Sequence, residues 1–254
     1  MVDPGSSGVF GTLTFSHDLV HHLGGQSDTN INTTRRILLL LESFALGRAA
    51  HRPTLTAILD RYLSDDFRFG EPDRRTRVPR FLLNDIVRFW RTLCVDYGMK
   101  RWTDSNENKW ALRNIKLRMS RKWLFASGLL MMFACDEQSA PPDTTESTRE
   151  RTTEKLIKLA GMTPTDIIVE QLDSIGLTKQ LASLLRLYDE YLEKLDNEEL
   201  RNRVSKLTPE EARNSKDFRW FKNQGRELQN ILIETFFGGN SPDLTKFTKE
   251  YGVF

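Results

Sequence analysis

The sequence predicts an all-α fold: a helical bundle of two helical subdomains joined by a proline-containing linker. Three observations carry this prediction. Apolar residues recur at three- and four-residue spacings along most of the chain. Prolines and glycines stand where such runs begin and end. The one stretch apolar enough for a buried strand, Ile37 to Leu41, has no β-branched partner run and no hairpin signal beside it.

The elements follow in order. Asp3 to Gly11 is rich in Gly and Ser and is expected to be a loose arm. Ser16 is a suitable N-cap for a short helix, HDLVHHL, which Gly24-Gly25 ends. A buried helix is expected from about Asp28 to Leu46, and a third, with Pro53 in its first turn, through Leu63. Gly70 to Arg80 forms a charged loop, and Pro79 opens a fourth helix to about Met99. On that helix Leu82, Leu83, Ile86, Phe89, Trp90, Leu93, Cys94 and Tyr97 share a broad face, with Asn84, Arg88 and Arg91 opposite and Asp85 and Asp96 at the edge.

A fifth helix, from about Glu107 to Ala134, carries two apolar stripes. One holds Leu112, Ile115, Met119, Trp123, Ala126 and Leu130; the other holds Leu117, Leu124, Gly128 and Met131. A helix with two apolar stripes packs on two sides and is expected to be central. Between the stripes run Lys116, Ser120 and Ser127, with Arg113 alongside and Arg118 and Lys122 on the far side. Asp136 to Ser147, with two prolines and no apolar anchor, is the expected linker. It divides a first subdomain, 1–135, from a second, 148–254. Helices then follow near Thr148–Leu159, Pro164–Ile175, Thr178–Leu207 and Pro209–Phe237, the last opening on a Thr208/Glu211 capping-box pair.

Charge divides along the same boundary. Residues 1–135 hold 20 Lys/Arg against 13 Asp/Glu, and residues 136–254 hold 17 against 22. Either the basic half faces an anionic partner or the two halves dock on each other. The longest apolar run, Trp123 to Cys135, falls short of a bilayer span and contains Ser127 and Gly128. MVDPGSSGVF has neither a basic n-region nor an apolar h-region, so no signal peptide is visible. Cys94 and Cys135 sit in apolar helical patterns and are expected to be free thiols in a reducing compartment. The expected location is cytoplasmic, with no membrane partner.

Catalytic constellations are sparse. His17 and His21, four apart, are a possible metal pair, but spacing marks no third ligand. PGSSG at 4–8 lacks the Gly-Lys-Ser/Thr ending of a phosphate loop and no strand precedes it. Helical RNases of the higher-eukaryotic and prokaryotic nucleotide-binding class carry an Arg four to six residues before a His, and none of His17, His21, His22 and His51 has one. What remains is ALRNIKLRMSRKW, in which Arg113, Lys116, Arg118, Arg121 and Lys122 crowd five cations into ten residues. They either hold phosphates or pair internally with Asp85, Asp96 or the acidic second half.

Three long runs carry a family resemblance: FGTLTFSHDLVHHLGGQSDTNINTTRRILLLLES, FLLNDIVRFWRTLCVDY and WALRNIKLRMSRKWLFASGLL. Together they resemble the helical C-terminal portion of bacterial nucleotidyltransferase-like proteins, over most of residues 9–254 and including the closing YGVF. In that family a minimal catalytic domain, with a Gly-Ser loop and paired aspartates for metal and nucleoside triphosphate, precedes the helices. No aspartate here matches that motif, so the resemblance implies a region inactive alone and without a cofactor of its own. Magnesium and a nucleoside triphosphate would enter only through a catalytic domain joined to it. The resemblance places His17, Asp18, Arg35, Arg36, Asn84, Asp85, Arg88, Arg91, Arg113, Lys116, Ser120 and Arg121 on the face that meets nucleotide or acceptor. Of these, Arg113, Lys116 and Arg121 would hold phosphates, and Asn84, Asp85, Arg88 and Arg91 would shape the cleft. The expected function is substrate recognition beside a nucleotidyltransferase catalytic domain. The alternative is a non-catalytic module docking on a protein or nucleic acid. An independent enzyme is the third reading, against which stands the lack of any converging nucleophile, base and metal set.

Overall fold

A computed structural model describes residues 14–45, 50–68, 78–103, 109–136 and 145–252. The expected arm, the charged loop over 70–77 and most of the linker lie outside these residues. Among the described residues every regular element is helical, as the apolar periodicity predicts. No described helix is long and apolar enough to cross a membrane.

The first helices are α1 (Ser16–His21), α2 (Asn30–Leu41), α3 (His51–Arg68) and α4 (Arg80–Thr103). One continuous helical stretch follows, made of α5 (Trp110–Lys116), a wide π turn (Leu117–Arg121) and α6 (Lys122–Phe133). Then come α7 (Thr145–Ala160), α8 (Pro164–Ser174), α9 (Thr178–Asp196), α10 (Glu198–Ser205), α11 (Pro209–Asn214), α12 (Lys216–Phe237) and α13 (Pro242–Phe247). Thr208 and Glu211 form the predicted capping box. Two expected long helices are each broken where a side chain caps a new start. Asn197 accepts from the Leu200 amide, and Ser215 accepts from the Phe218 amide. At α1 the cap position is Phe15, not Ser16, and no side chain caps it.

The chain forms two compact units: Met1–Phe89 with Ser127–Ile167, and Trp90–Ala126 with Ile168–Phe254. Each unit draws on both sides of the expected linker, because packing partners are distant in sequence. In the first, α7 packs on α3, where Thr153 donates to Asp60 at 3.3 Å. In the second, the Lys109 amide donates to the Ser205 carbonyl at 2.8 Å, and Trp110 packs on Phe218 with centroids 5.4 Å apart.

The first unit is organised around a buried cation. Arg36 has no solvent exposure, on a helix whose Ile37, Leu40 and Leu41 are also buried. Its guanidinium donates to both carboxylate oxygens of Asp28, at 2.9 and 2.6 Å, and through Nε to Tyr62 Oη at 3.0 Å. Tyr62 in turn donates to Asp85 Oδ2 at 2.5 Å, which lies 3.4 Å from Arg36 Nη2. The Leu19 carbonyl accepts from Nη1 at 3.5 Å, so one side chain ties α1, the turn before α2, α3 and α4. Burial acts to lower the Arg36 pKa, but the bond to Asp28 and the field of Tyr62 outweigh it and hold the guanidinium charged. Burial first, and the Asp85 carboxylate second, keep the Tyr62 phenol neutral well above its usual range.

Replacing Arg36 with Met is expected to leave Asp28 and Asp85 buried without their cation, costing roughly 3–5 kcal/mol. Urea denaturation of wild type and variant measures this; a loss below about 1 kcal/mol, the scale of an exposed ion pair, would contradict it.

Candidate anion-binding site

The spacing of buried residues explains the π turn. Ala111, Ile115, Met119 and Trp123 are buried at strict four-residue intervals. On a regular α-helix each such step drifts about 40° around the axis. A wider turn absorbs the drift and keeps all four on one face. Around the turn, Leu117 N–H reaches both the Arg113 and Asn114 carbonyls. Neighbours hold this face. Trp123 stacks on Tyr188 with centroids 4.1 Å apart, and Ser120 shares a hydrogen bond with Tyr191 Oη at 2.9 Å. Burial pushes the Tyr191 phenol up to about 12, with the Ser120 bond opposing and Tyr188 adding to it.

On another face of the same turn, α12 comes close enough to require a glycine. A Cβ at Gly225 would sit 2.9 Å from Arg118 Cβ. Arg118 Nε donates to Asn114 Oδ1 at 2.8 Å, and Asn114 Nδ2 donates to Tyr97 Oη at 2.7 Å. One turn on, Lys122 Nζ donates to Gln229 Oε1 at 2.6 Å. Both cations are half-buried, and among the described residues each meets a neutral amide and no carboxylate. Burial, then the charge of Arg118, draw the Lys122 pKa down, while Cys94 acts the other way. Burial pushes the Cys94 thiol up, with Lys122 opposing. Two partly desolvated cations one turn apart, with amide partners among the described residues, are the arrangement here most suited to an anion.

The sequence-predicted residues divide between the units. In the first, Arg36 and Asp85 answer each other inside the buried network, and Arg35 is buried. Arg88, its side chain 42% exposed, donates to Asn30 Oδ1 at 2.7 and 3.1 Å and lies 4.0 Å from Asp85. Asn84 is exposed. In the second unit Arg91 and Lys116 are exposed, and Arg113 and Arg121 are half-buried with partners of their own. The strip Lys116, Ser120, Ser127 does not share one environment: Lys116 is exposed, Ser120 meets Tyr191, and Ser127 is buried. The sequence counts Arg118 and Lys122 among five clustered cations but places them on the far side of the helix, away from the residues expected to meet nucleotide or acceptor. The four-residue spacing of buried positions was the signal that could have redirected that reading, since it marks a turn that re-aims these side chains.

Ser43 and His51 also lie together, Oγ to Nε2 at 2.6 Å. Ser43 Oγ donates to the Leu39 carbonyl at 2.6 Å, so its single proton already has an acceptor and the pair is explained as a helix-end contact. His17 packs against His21 with centroids 4.5 Å apart and the rings tilted by 38°, yet His22 rather than His21 brings a donor atom near those of His17 and Asp18. Comparison with protein-family models, with curated proteins and with solved structures finds no match.

Lys122→Met should raise the melting temperature at neutral pH. A lysine whose folded pKa is lowered contributes stability above its unfolded pKa, about 10.4, and loses it as pH falls through the folded value. The advantage of the variant is therefore expected to shrink as pH rises towards 10.4. Melts across that range that keep a constant difference, or favour wild type at pH 7, would contradict it.

Proposed function

We propose that this chain is the helical substrate-recognition region of a nucleotidyltransferase-like protein, and that it holds phosphate groups of a nucleotide or acceptor between Arg118 and Lys122. The observation that carries the proposal is the half-buried pair of cations whose partners among the described residues are amides alone. The resemblance of the three long runs supplies the chemical class. In this reading Arg118 presents a planar fork to two phosphate oxygens, and Lys122 adds a point charge. Arg118 lies within the π turn and Lys122 directly follows it, and π turns recur at functional sites. Asn114 and Gln229 hold the side chains in position without neutralising them. Magnesium and the reacting triphosphate belong to a catalytic domain joined to this one. Lys116, exposed on the same helical stretch, adds to the local positive potential.

Isothermal titration of the purified chain with inorganic pyrophosphate and with a nucleoside triphosphate tests this. Binding is expected to weaken as salt rises. Arg118→Gln and Lys122→Met should each weaken it roughly tenfold or more, the loss of one charge-assisted hydrogen bond. Lys116→Ala, at an exposed position, should change it far less. Absence of binding to either probe at low salt, or equal affinity in all three variants, would contradict the proposal.

A further inference from the structure

We propose that His17, Asp18 and His22 form a binding site for one divalent first-row transition-metal ion of the zinc type. Among the described residues they are the one group whose ligand atoms gather: one atom from each lies within 4.8 Å of the others. His17 Nδ1 and Asp18 Oδ1 are already 3.7 Å apart. Bonds of about 2.0–2.1 Å in a tetrahedral site put donor atoms about 3.3 Å from one another. The remaining closure lies within reach of χ rotations, because His17 is exposed and Asp18 and His22 are half-exposed. In the sequence Asp18 and His22 stand beside the His17/His21 pair, which draws attention first by its helical spacing. Asp18 and His22 share the same four-residue interval one position along, and His22 follows the last residue of α1.

The donor set selects the metal. Two imidazoles and one carboxylate suit zinc, cobalt or nickel, whereas calcium and magnesium favour oxygen throughout. Three protein ligands leave coordination positions for water.

The location gives the ion a structural consequence. Helix α1 has six residues and no side-chain N-cap, too little to hold itself by helix propensity. Yet its Leu19 is buried, and the Leu19 carbonyl accepts from the buried Arg36 guanidinium. A metal joining Asp18 near the start of α1 to His22 just beyond its end would clamp the whole helix. These ligands belong to the first unit and share no residue with the Arg118–Lys122 site, so either reading can fail without the other.

The test is cobalt titration of the metal-stripped chain, with any histidine tag removed, read by visible absorption. One equivalent is expected to give a d–d band that zinc displaces, and zinc should raise the melting temperature. Asp18→Asn and His22→Ala should each weaken cobalt binding at least about tenfold. His21→Ala and the double Cys94→Ser, Cys135→Ser variant should retain it. Circular dichroism checks each fold, and His17→Gln replaces any variant that fails to fold. No binding, a thiolate charge-transfer band, or a d–d band that survives loss of His22 and Asp18 would overturn the site.

Discussion

A cation drawn away from water needs an anion to answer it, and the two units of this protein meet that demand differently. Inside the first, Arg36 is fully buried and surrounded by Asp28, Asp85 and Tyr62. Such a network adds little net stability over an apolar core but becomes costly once any member is removed. Its effect is to fix which helices meet: α1 through a carbonyl, α3 through a phenol, α4 through a carboxylate. In the second unit Arg118 and Lys122 are half-buried, and among the described residues only Asn114 and Gln229 receive their protons. The same physics that makes Arg36 a structural centre underlies the proposal that the second pair receives an external anion.

The route from sequence to that site runs through one helical irregularity. Buried side chains at 111, 115, 119 and 123 keep a period of four, longer than the α-helical 3.6. The π turn at Leu117–Arg121 reconciles the two periods. It keeps Met119 and Trp123 in the core and brings Arg118 beside Gly225 of α12. A larger residue at 225 would push that helix away and open the site to water.

Much of the fold was legible in the sequence. Helical periodicity located most of the described helices before α13, and local capping chemistry predicted the Thr208/Glu211 start. The breaks at Asn197 and Ser215 were missed although both are good caps, because the apolar pattern continues across them. Helix α13 was missed behind Gly238-Gly239, where Ser241 and Pro242 restart the chain. The grouping into units was not legible, since α7 joins α3 and α5 joins α10 through contacts far apart in sequence. For the candidate site, the excess of cations over residues 113–122 is legible in the sequence. The sequence could not say which cations find carboxylates: among the described residues Arg36 meets Asp28 and Asp85, whereas Arg118 and Lys122 meet amides. That difference depends on tertiary placement, to which residue type and spacing are blind.

If Lys122 and Arg118 wait for an anion, the titration of Lys122 itself must show it. With carbon-13-labelled lysine, assigned through Lys122→Met, the ε-carbon of Lys122 should titrate below the other lysines in anion-free buffer. Burial and the neighbouring guanidinium both favour its neutral form. Adding pyrophosphate should return its pKa towards the ordinary lysine range, as a bound anion restores the charged form. A Lys122 that titrates with the other lysines in anion-free buffer, or whose pKa stays fixed when pyrophosphate is added, would contradict the account.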